Sequence, residues 1–239
     1  HSWLEFRRVL FRSGANLGTF GFAPAINNKK VLMIECAEKN YECLELTFKN
    51  LENVILSSDI VSDREHFCLF NSDYGSGGTI SDNIHGDKKT TTIDNLCEKN
   101  NIDNVAIIKY DIEGYEGEAL LGSQKILEKT HAVLLVEING HCLNLREKKP
   151  SYVLDIIEQL GYISFFAYND KILIPINKND NFPFCVVDLV CIHKDNLYQY
   201  IQDLTFREKL SKNEISQILA SNRENSNDDC KRYFETIEP

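Results

Sequence analysis

Three glycines, a few carboxylates and one histidine carry the chemical prospects of this chain. Gly14, Gly18 and Gly21 punctuate "GANLGTFG", directly after the apolar "VLF". A strand, a glycine turn and a helix start make a nucleotide cradle. Glycine lets the backbone approach a ligand, and helix-start N–H groups are free to donate. The strict G-x-G-x-x-G pattern is absent, because Asn16 holds the place of the second glycine. Glu35 closes the next apolar run, 21 residues after Gly14. A carboxylate there can accept both hydroxyls of a ribose. Nicotinamide nucleotides and S-adenosylmethionine both carry such a ribose, so these features alone do not separate the two.

A second group follows in "IIKYDIEGYEGEALLGSQKIL". Asp111 and Glu113 stand at the C-terminal end of an apolar strand, and Gly114 turns the chain into a helix. Glu137 and His141 end and follow the next apolar run. Ligands bind beyond strand C-termini in open α/β sheets, and a base at that edge can take the proton of a hydroxyl. Asp111, Glu113 and His141 are therefore the candidate catalytic residues, with Glu137 beside them. Each has a plainer alternative. Glu113 and Glu116 suit a helix N-terminus, and a loop histidine suits water. Asp111, Glu137 and Asn139 could also converge as oxygen ligands for Mg²⁺. No His/Cys spacing points to zinc.

The elements that must position these residues alternate. "VLMIE", "NVILSSDIV", "VAIIKYDI" and "AVLLVEI" read as strands, the last two as continuous apolar runs buried on both faces. Helical spacing follows in Tyr41, Leu44, Phe48 and Leu51, and again in Ala119, Leu120, Ile126 and Leu127. "TTTIDNLCEKNN" reads as a capped short helix. Tyr152, Val153, Ile156, Ile157 and Leu160 make a helical stripe that Gly161 ends. "HFCLF" is a short extra strand, and the polar, glycine-containing residues 71–89 read as a long loop. "YISFFAYN", "KILIPI" and "CVVDLVCIH" close the set as strands with an antiparallel hairpin. This alternation predicts an α/β, doubly wound sheet.

With "MIEC", "TTIDNL" and "LLVEIN", the stretches "GANLGTF" and "IKYDIEGYEGEALLGSQ" resemble the FkbM family of S-adenosylmethionine-dependent methyltransferases. That family carries a D-x-G-A-N-x-G loop, an F-E-P-like strand end, a T-x-D-x-L segment, a K-x-D-x-E-G-x-E…L-x-G-A block and a strand ending V-E. The matches run in that order between Gly14 and Ile176. The resemblance implies a class I methyltransferase (Rossmann-like) fold with a seven-stranded, mostly parallel sheet. It implies S-adenosylmethionine as cofactor, with Gly14, Asn16 and Gly18 along its methionine part, Glu35 on its ribose, and Ser58 and Asp59 near its adenine. It further implies O-methylation of a hydroxyl on a sugar, glycan or natural product. Cys36 and Ser123 depart from the proline and alanine of the family. Two other readings stay open, a nicotinamide-dependent oxidoreductase and a non-catalytic methyltransferase-fold binding module. The first lacks a Tyr-x-x-x-Lys relay.

The family pattern expects aspartate two residues before Gly14, where this chain has Arg12. "LEFRRVLFRS" can be written CTG GAG TTC AGA CGT GTG CTC TTC CGA TCT, which matches a common short-read sequencing adapter. Residues 4–13 accordingly read as translated adapter. The expected organisation is a non-native segment over 1–13, a methyltransferase domain over 14–194, and a polar helical extension over 195–239 with a disordered end.

Bulk properties bound the alternatives. The 239 residues are 43% apolar and 26% charged, with net charge −10, an ordinary globular composition. A chain this acidic without a Lys/Arg stripe does not predict nucleic-acid or anionic-membrane partners. No apolar run approaches the roughly 20 residues that span a bilayer. Eight cysteines at irregular spacing, none as C-x-x-C, predict free thiols in a reducing cytoplasm.

Overall fold

The computed structural model describes residues 9–74, 77–82, 85–169, 172–176, 185–200 and 205–206. Expectations for residues 1–8 and 207–239 lie outside these. The chain divides into two compact units, His1–Leu134 and Leu135–Pro239.

The first unit runs β1 (Val9–Ser13), α1 (Thr19–Ile26), β2 (Val31–Ile34), α2 (Glu38–Phe48), β3 (Val54–Ser57), β4 (Ile60–Val61), β5 (Phe67–Tyr74), β6 (Gly77–Asp82), β7 (Lys88–Thr91), α3 (Ile93–Lys99), β8 (Val105–Tyr110), α4 (Glu116–Leu121) and α5 (Gln124–Thr130). It ends in the first residues of β9 (Val133–Asn139). Parallel pairing gives the order β8-β1-β2-β3. Ser13 stands opposite both Ile34 and Tyr110, so β1, β2 and β8 end side by side. All four residues of β2 are buried, which is why that strand reads as an unbroken apolar run. Ala15, Ala25, Val31, Met33, Leu44 and Phe48 form one core cluster. At Gly18, φ is +80° and an added Cβ would stand 2.6 Å from the Phe48 ring. That closeness lets α1 start against α2.

Three local expectations change. The single strand over 53–61 is two, because Asp59 hydrogen-bonds the Ser57 hydroxyl and bends the chain between β3 and β4. The long loop over 71–89 instead contributes to a second sheet in the order β4-β7-β5-β6. β5 pairs antiparallel with β6 and β7. Ladder bonds use main-chain groups, so polar sequence does not forbid them. The helix after β8 is broken into α4 and α5. Gly122 lies against the Ser62 carbonyl, and the Asp94 carboxylate accepts from the N–H groups of Lys125 and Ile126 at the start of α5.

The second unit holds the rest of β9, then α6 (Gly140–Leu145), α7 (Pro150–Gln159), β10 (Tyr162–Asn169), β11 (Ile172–Ile176), β12 (Val186–His193), α8 (Leu197–Tyr200) and β13 (Thr205–Phe206). Its strand order is β13-β11-β10-β12-β9. β10 pairs antiparallel with both β11 and β12, the expected C-terminal hairpin. α7 starts on Pro150, buries Val153, Leu154, Ile156 and Ile157, and stops before Gly161 at φ +83°. The seven strands implied by the family resemblance correspond to β1, β2, β3, β8, β9, β10 and β12. The extras are β5, in the second sheet, and β11, beside β10. The polar stretch beyond Lys194 does contain α8, but its Thr205–Phe206 pair with β11. Cys36, Cys43, Cys97 and Cys191 are free thiols. Cys185 is disulfide-bonded, against the expectation of free thiols throughout.

Candidate cofactor and active site

The C-terminal ends of β1, β2 and β8 and the turn before β4 surround a cavity of about 120 Å³ in the first unit. Its wall includes Gly14, Asn16, Glu35, Asp59, Asp111 and Glu113. These residues come from four separate stretches of chain. What unites them is the strand ends, where a parallel sheet delivers successive loops to one edge.

Glu35 organises one side. Its Oε2 accepts from the Asn16 N–H at 2.6 Å and its Oε1 from the Ala37 N–H at 2.9 Å. The glycine loop is fixed from below as well, by Ala15 N–H donating to the Ile34 carbonyl and Gly18 N–H to the Ala15 carbonyl. Asn16 takes φ +50° and Gly14 φ +72°. A Cβ on Gly14 would stand 1.7 Å from the Asp111 carbonyl oxygen, so only glycine fits where the two loops meet. Glu35 is 7% exposed, and each of its oxygens keeps a lone pair beyond the backbone bonds. The Ser13 hydroxyl is fully buried with no hydrogen-bond partner among the described residues, and Ser13 lines the cavity. Burial, aided by the charge of Glu35, pushes the neighbouring Cys36 thiol up to about 12.

The other side is held by charge. Asp111 Oδ2 meets Arg12 Nη2 at 3.1 Å and Lys109 Nζ at 3.4 Å. Arg12 Nε donates to the Gly14 carbonyl at 3.0 Å, and its guanidinium lies 5.6 Å from the centre of the Phe20 ring. The side chains of Arg12 and Lys109 are 9% and 10% exposed. Two nearly buried cations thus converge on one carboxylate oxygen.

Of the sequence candidates, Gly14, Asn16, Glu35, Asp59, Asp111 and Glu113 share the cavity wall. Gly18 stands behind it against Leu44 and Phe48. Ser58 is exposed and His141 lies on α6 in the second unit, and neither is in that wall. The side chain of Asn139, considered for Mg²⁺, accepts from the Cys142 N–H at 3.1 Å and caps α6. The sequence reading missed Lys109 and Arg12 as partners of Asp111, and Phe70 and Ile80 as apolar wall. Lys109 was findable, because residues two apart share a strand face. Nothing local announces a contact between residues 12 and 111.

A model of the methyltransferase FkbM domain matches residues 13–164, and the chain belongs to that family. Its fold is that of the class I, Rossmann-like methyltransferases. Among solved structures, the chain is similar to the FkbM methyltransferase of Methylobacillus flagellatus KT. They are 16% identical with a TM-score of 0.47, over 80% of this chain and 45% of that one. The chain thus spans less than half the length of that relative. It is also similar to the precorrin-6y C5,15-methyltransferase of Geobacter metallireducens GS-15, with 14% identity and TM-score 0.43 over 79% of this chain and 80% of that one. A third is the magnesium protoporphyrin IX methyltransferase of Synechocystis PCC 6803 with bound SAH. It gives 10% identity and TM-score 0.40 over 80% and 76% of the two chains. Comparison with curated proteins gave no match.

Proposed function

We propose that the site binds S-adenosylmethionine and serves methyl transfer to a hydroxyl of a sugar, glycan or natural product. The observation that carries this reading is the Glu35 carboxylate. It is bound to the glycine loop through Asn16 and keeps acceptor capacity for two ribose hydroxyls. The Ser13 hydroxyl, buried in the cavity wall without a hydrogen-bond partner among the described residues, fits a polar ligand there. Gly14 and Asn16 would follow the methionine part and Asp59 the adenine end.

Bound there, S-adenosylmethionine supplies an activated methyl group on a sulfonium. The residues supply placement and proton removal. Holding two reactants in line is the larger part of such catalysis. Asp111 and Glu113 face the cavity and are the groups proposed to take the hydroxyl proton. Asp111 is already engaged by two cations, so the reading needs no Mg²⁺ there. His141, on α6 of the second unit, is proposed as a candidate base on its sequence position after β9 alone.

Arg12 works against the reaction in this chain. It brings a cation to the part of the cavity where a sulfonium is proposed, and it occupies Asp111. Residues 1–13 as translated adapter, 14–194 as the methyltransferase domain and 195–239 as an extension remain part of the proposal. The Arg12–Asp111 pair also favours a second reading, a methyltransferase fold that binds without turnover. No helix among the described residues is long and apolar enough to cross a membrane. The free thiols support action in the cytoplasm, and the bridged Cys185 opposes it.

The test is transfer of tritiated methyl from S-adenosylmethionine to a panel of sugars, glycans and polyhydroxylated natural products, by this chain and by Arg12→Asp. Labelled hydroxyl product from Arg12→Asp, roughly tenfold or more above this chain, is expected from removing a like charge near the sulfonium. A folded Arg12→Asp that binds cofactor but labels nothing would leave the binding module as the better reading.

A further inference from the structure

We propose that Glu116 is a positioning residue of this site, its buried carboxyl holding the Asp111–Gly114 turn in the shape that presents Asp111 and Glu113 to the cavity. The proposal rests on the cofactor and acceptor reading given above. Glu116 opens α4 and is fully buried. A glutamate there ordinarily sits in water and answers only the helix dipole. Here its Oε1 accepts from the Ile112 N–H at 3.0 Å and from the Gly114 N–H at 3.2 Å. Between those two donors stands Glu113 at φ +53°, followed by Gly114 at φ +93°. Two successive left-handed residues, the first not glycine, persist only where the surroundings over-determine them. One carboxyl oxygen that grips both flanks of the turn does so.

The turn matters to both sides of the cavity. Asp111, Ile112 and Glu113 line it, and the Asp111 carbonyl fills the space beside Gly14. A turn that relaxed would therefore shift the proposed base and the glycine loop together. Glu116 Oε2 is buried with no partner among the described residues. Burial pushes the carboxyl up to about 7, against the pull of the N–H groups it accepts from. Glu113 on the turn adds to the rise. Asp111, Arg12 and Lys109, at the far end of the turn, are paired with one another. The neutral acid still accepts through Oε1, and the ion accepts more strongly.

The test is amide hydrogen exchange without ligand, on the chain, Glu116→Ala and Glu116→Gln. Glu116→Ala should speed exchange at Ile112 and Gly114 by roughly tenfold to a hundredfold relative to the amides of β8. Glu116→Gln keeps an acceptor of the same shape and should stay within about threefold. Unchanged rates at both amides in Glu116→Ala would overturn the proposal, as would a rise spread evenly over β8 and α4. If Glu116→Ala does not fold, the pH response decides. Between about pH 5 and pH 7, where an opened turn has lost the proton that the closed one keeps, corrected exchange at the two amides should speed in the chain but not in Glu116→Gln. Identical responses would overturn the proposal. Exchange needs no cofactor, so indifference to S-adenosylhomocysteine would sink the binding reading while leaving this result standing.

Discussion

The two sides of the cavity are built by different means. On the Glu35 side, main-chain N–H groups of Asn16 and Ala37 bind a carboxylate that keeps capacity for more. On the Asp111 side, two cations, Arg12 and Lys109, converge on one oxygen. The first arrangement is open to a ligand. The second is closed on itself. Main-chain donors are fixed by the loop whatever the side chains are, so they survive sequence change. A side-chain pair is only as suitable as its residues, and Arg12 is the residue that departs from the family pattern. The same strand shows both halves of the lesson. β1 fills its place between β8 and β2 with Val9 and Phe11 buried, because that slot asks only for apolar, β-prone residues. Its end asks for specific chemistry, and there the chain departs.

Substitutions can sharpen this contrast. The largest effect should come where the sides touch. Gly14→Ala places a Cβ 1.7 Å from the Asp111 carbonyl at a positive φ, and backbone cannot move aside as a side chain can. A loss of about 4 kcal/mol or more in urea unfolding is expected. Near-normal stability would mean the two loops do not meet as described. Asp111→Ala should cost about 3 kcal/mol, because it removes the carboxylate that two nearly buried cations share. A smaller loss would show that water already reaches Arg12 and Lys109. Glu35→Ala should weaken S-adenosylhomocysteine binding by roughly thirtyfold from lost charge-assisted bonds, besides loosening the loop whose Asn16 N–H it accepts from.

A further effect is a pH slope. The Glu116 carboxyl has an ordinary value of 4.5 and is raised to about 7 in the folded chain, mainly by burial. Between these values the folded chain holds a proton that the unfolded chain has lost. The contribution of Glu116 to stability therefore falls as pH rises from 4.5 to about 7 and levels beyond. Urea midpoints across that window should decline in the chain and flatten in Glu116→Gln. Parallel curves would contradict the raised value.

Much of this was legible in the sequence. Apolar runs such as "VLMI" and "VAIIKY" announce strands buried on both faces, and Gly161 announces the end of α7. The glycine loop and Glu35 are visible because they are local motifs with fixed spacing. The second sheet was not visible, since residues 71–89 have loop composition and their pairing runs through the main chain. Arg12 with Asp111 was not visible as a contact, because 99 residues separate them. Glu116 reads as a helix-start carboxylate, and only its burial reveals the grip on Ile112 and Gly114.

The central claim is that the Glu35 side binds an S-adenosyl ligand while Arg12 impairs the other side. Calorimetric titration of this chain and of Arg12→Asp with S-adenosylhomocysteine, with NADH as control, tests it most directly, once circular dichroism shows both folded. The account predicts binding by Arg12→Asp, weaker binding by the chain as it stands, and none of NADH. Two folded proteins that both ignore S-adenosylhomocysteine, or that bind NADH instead, would contradict it.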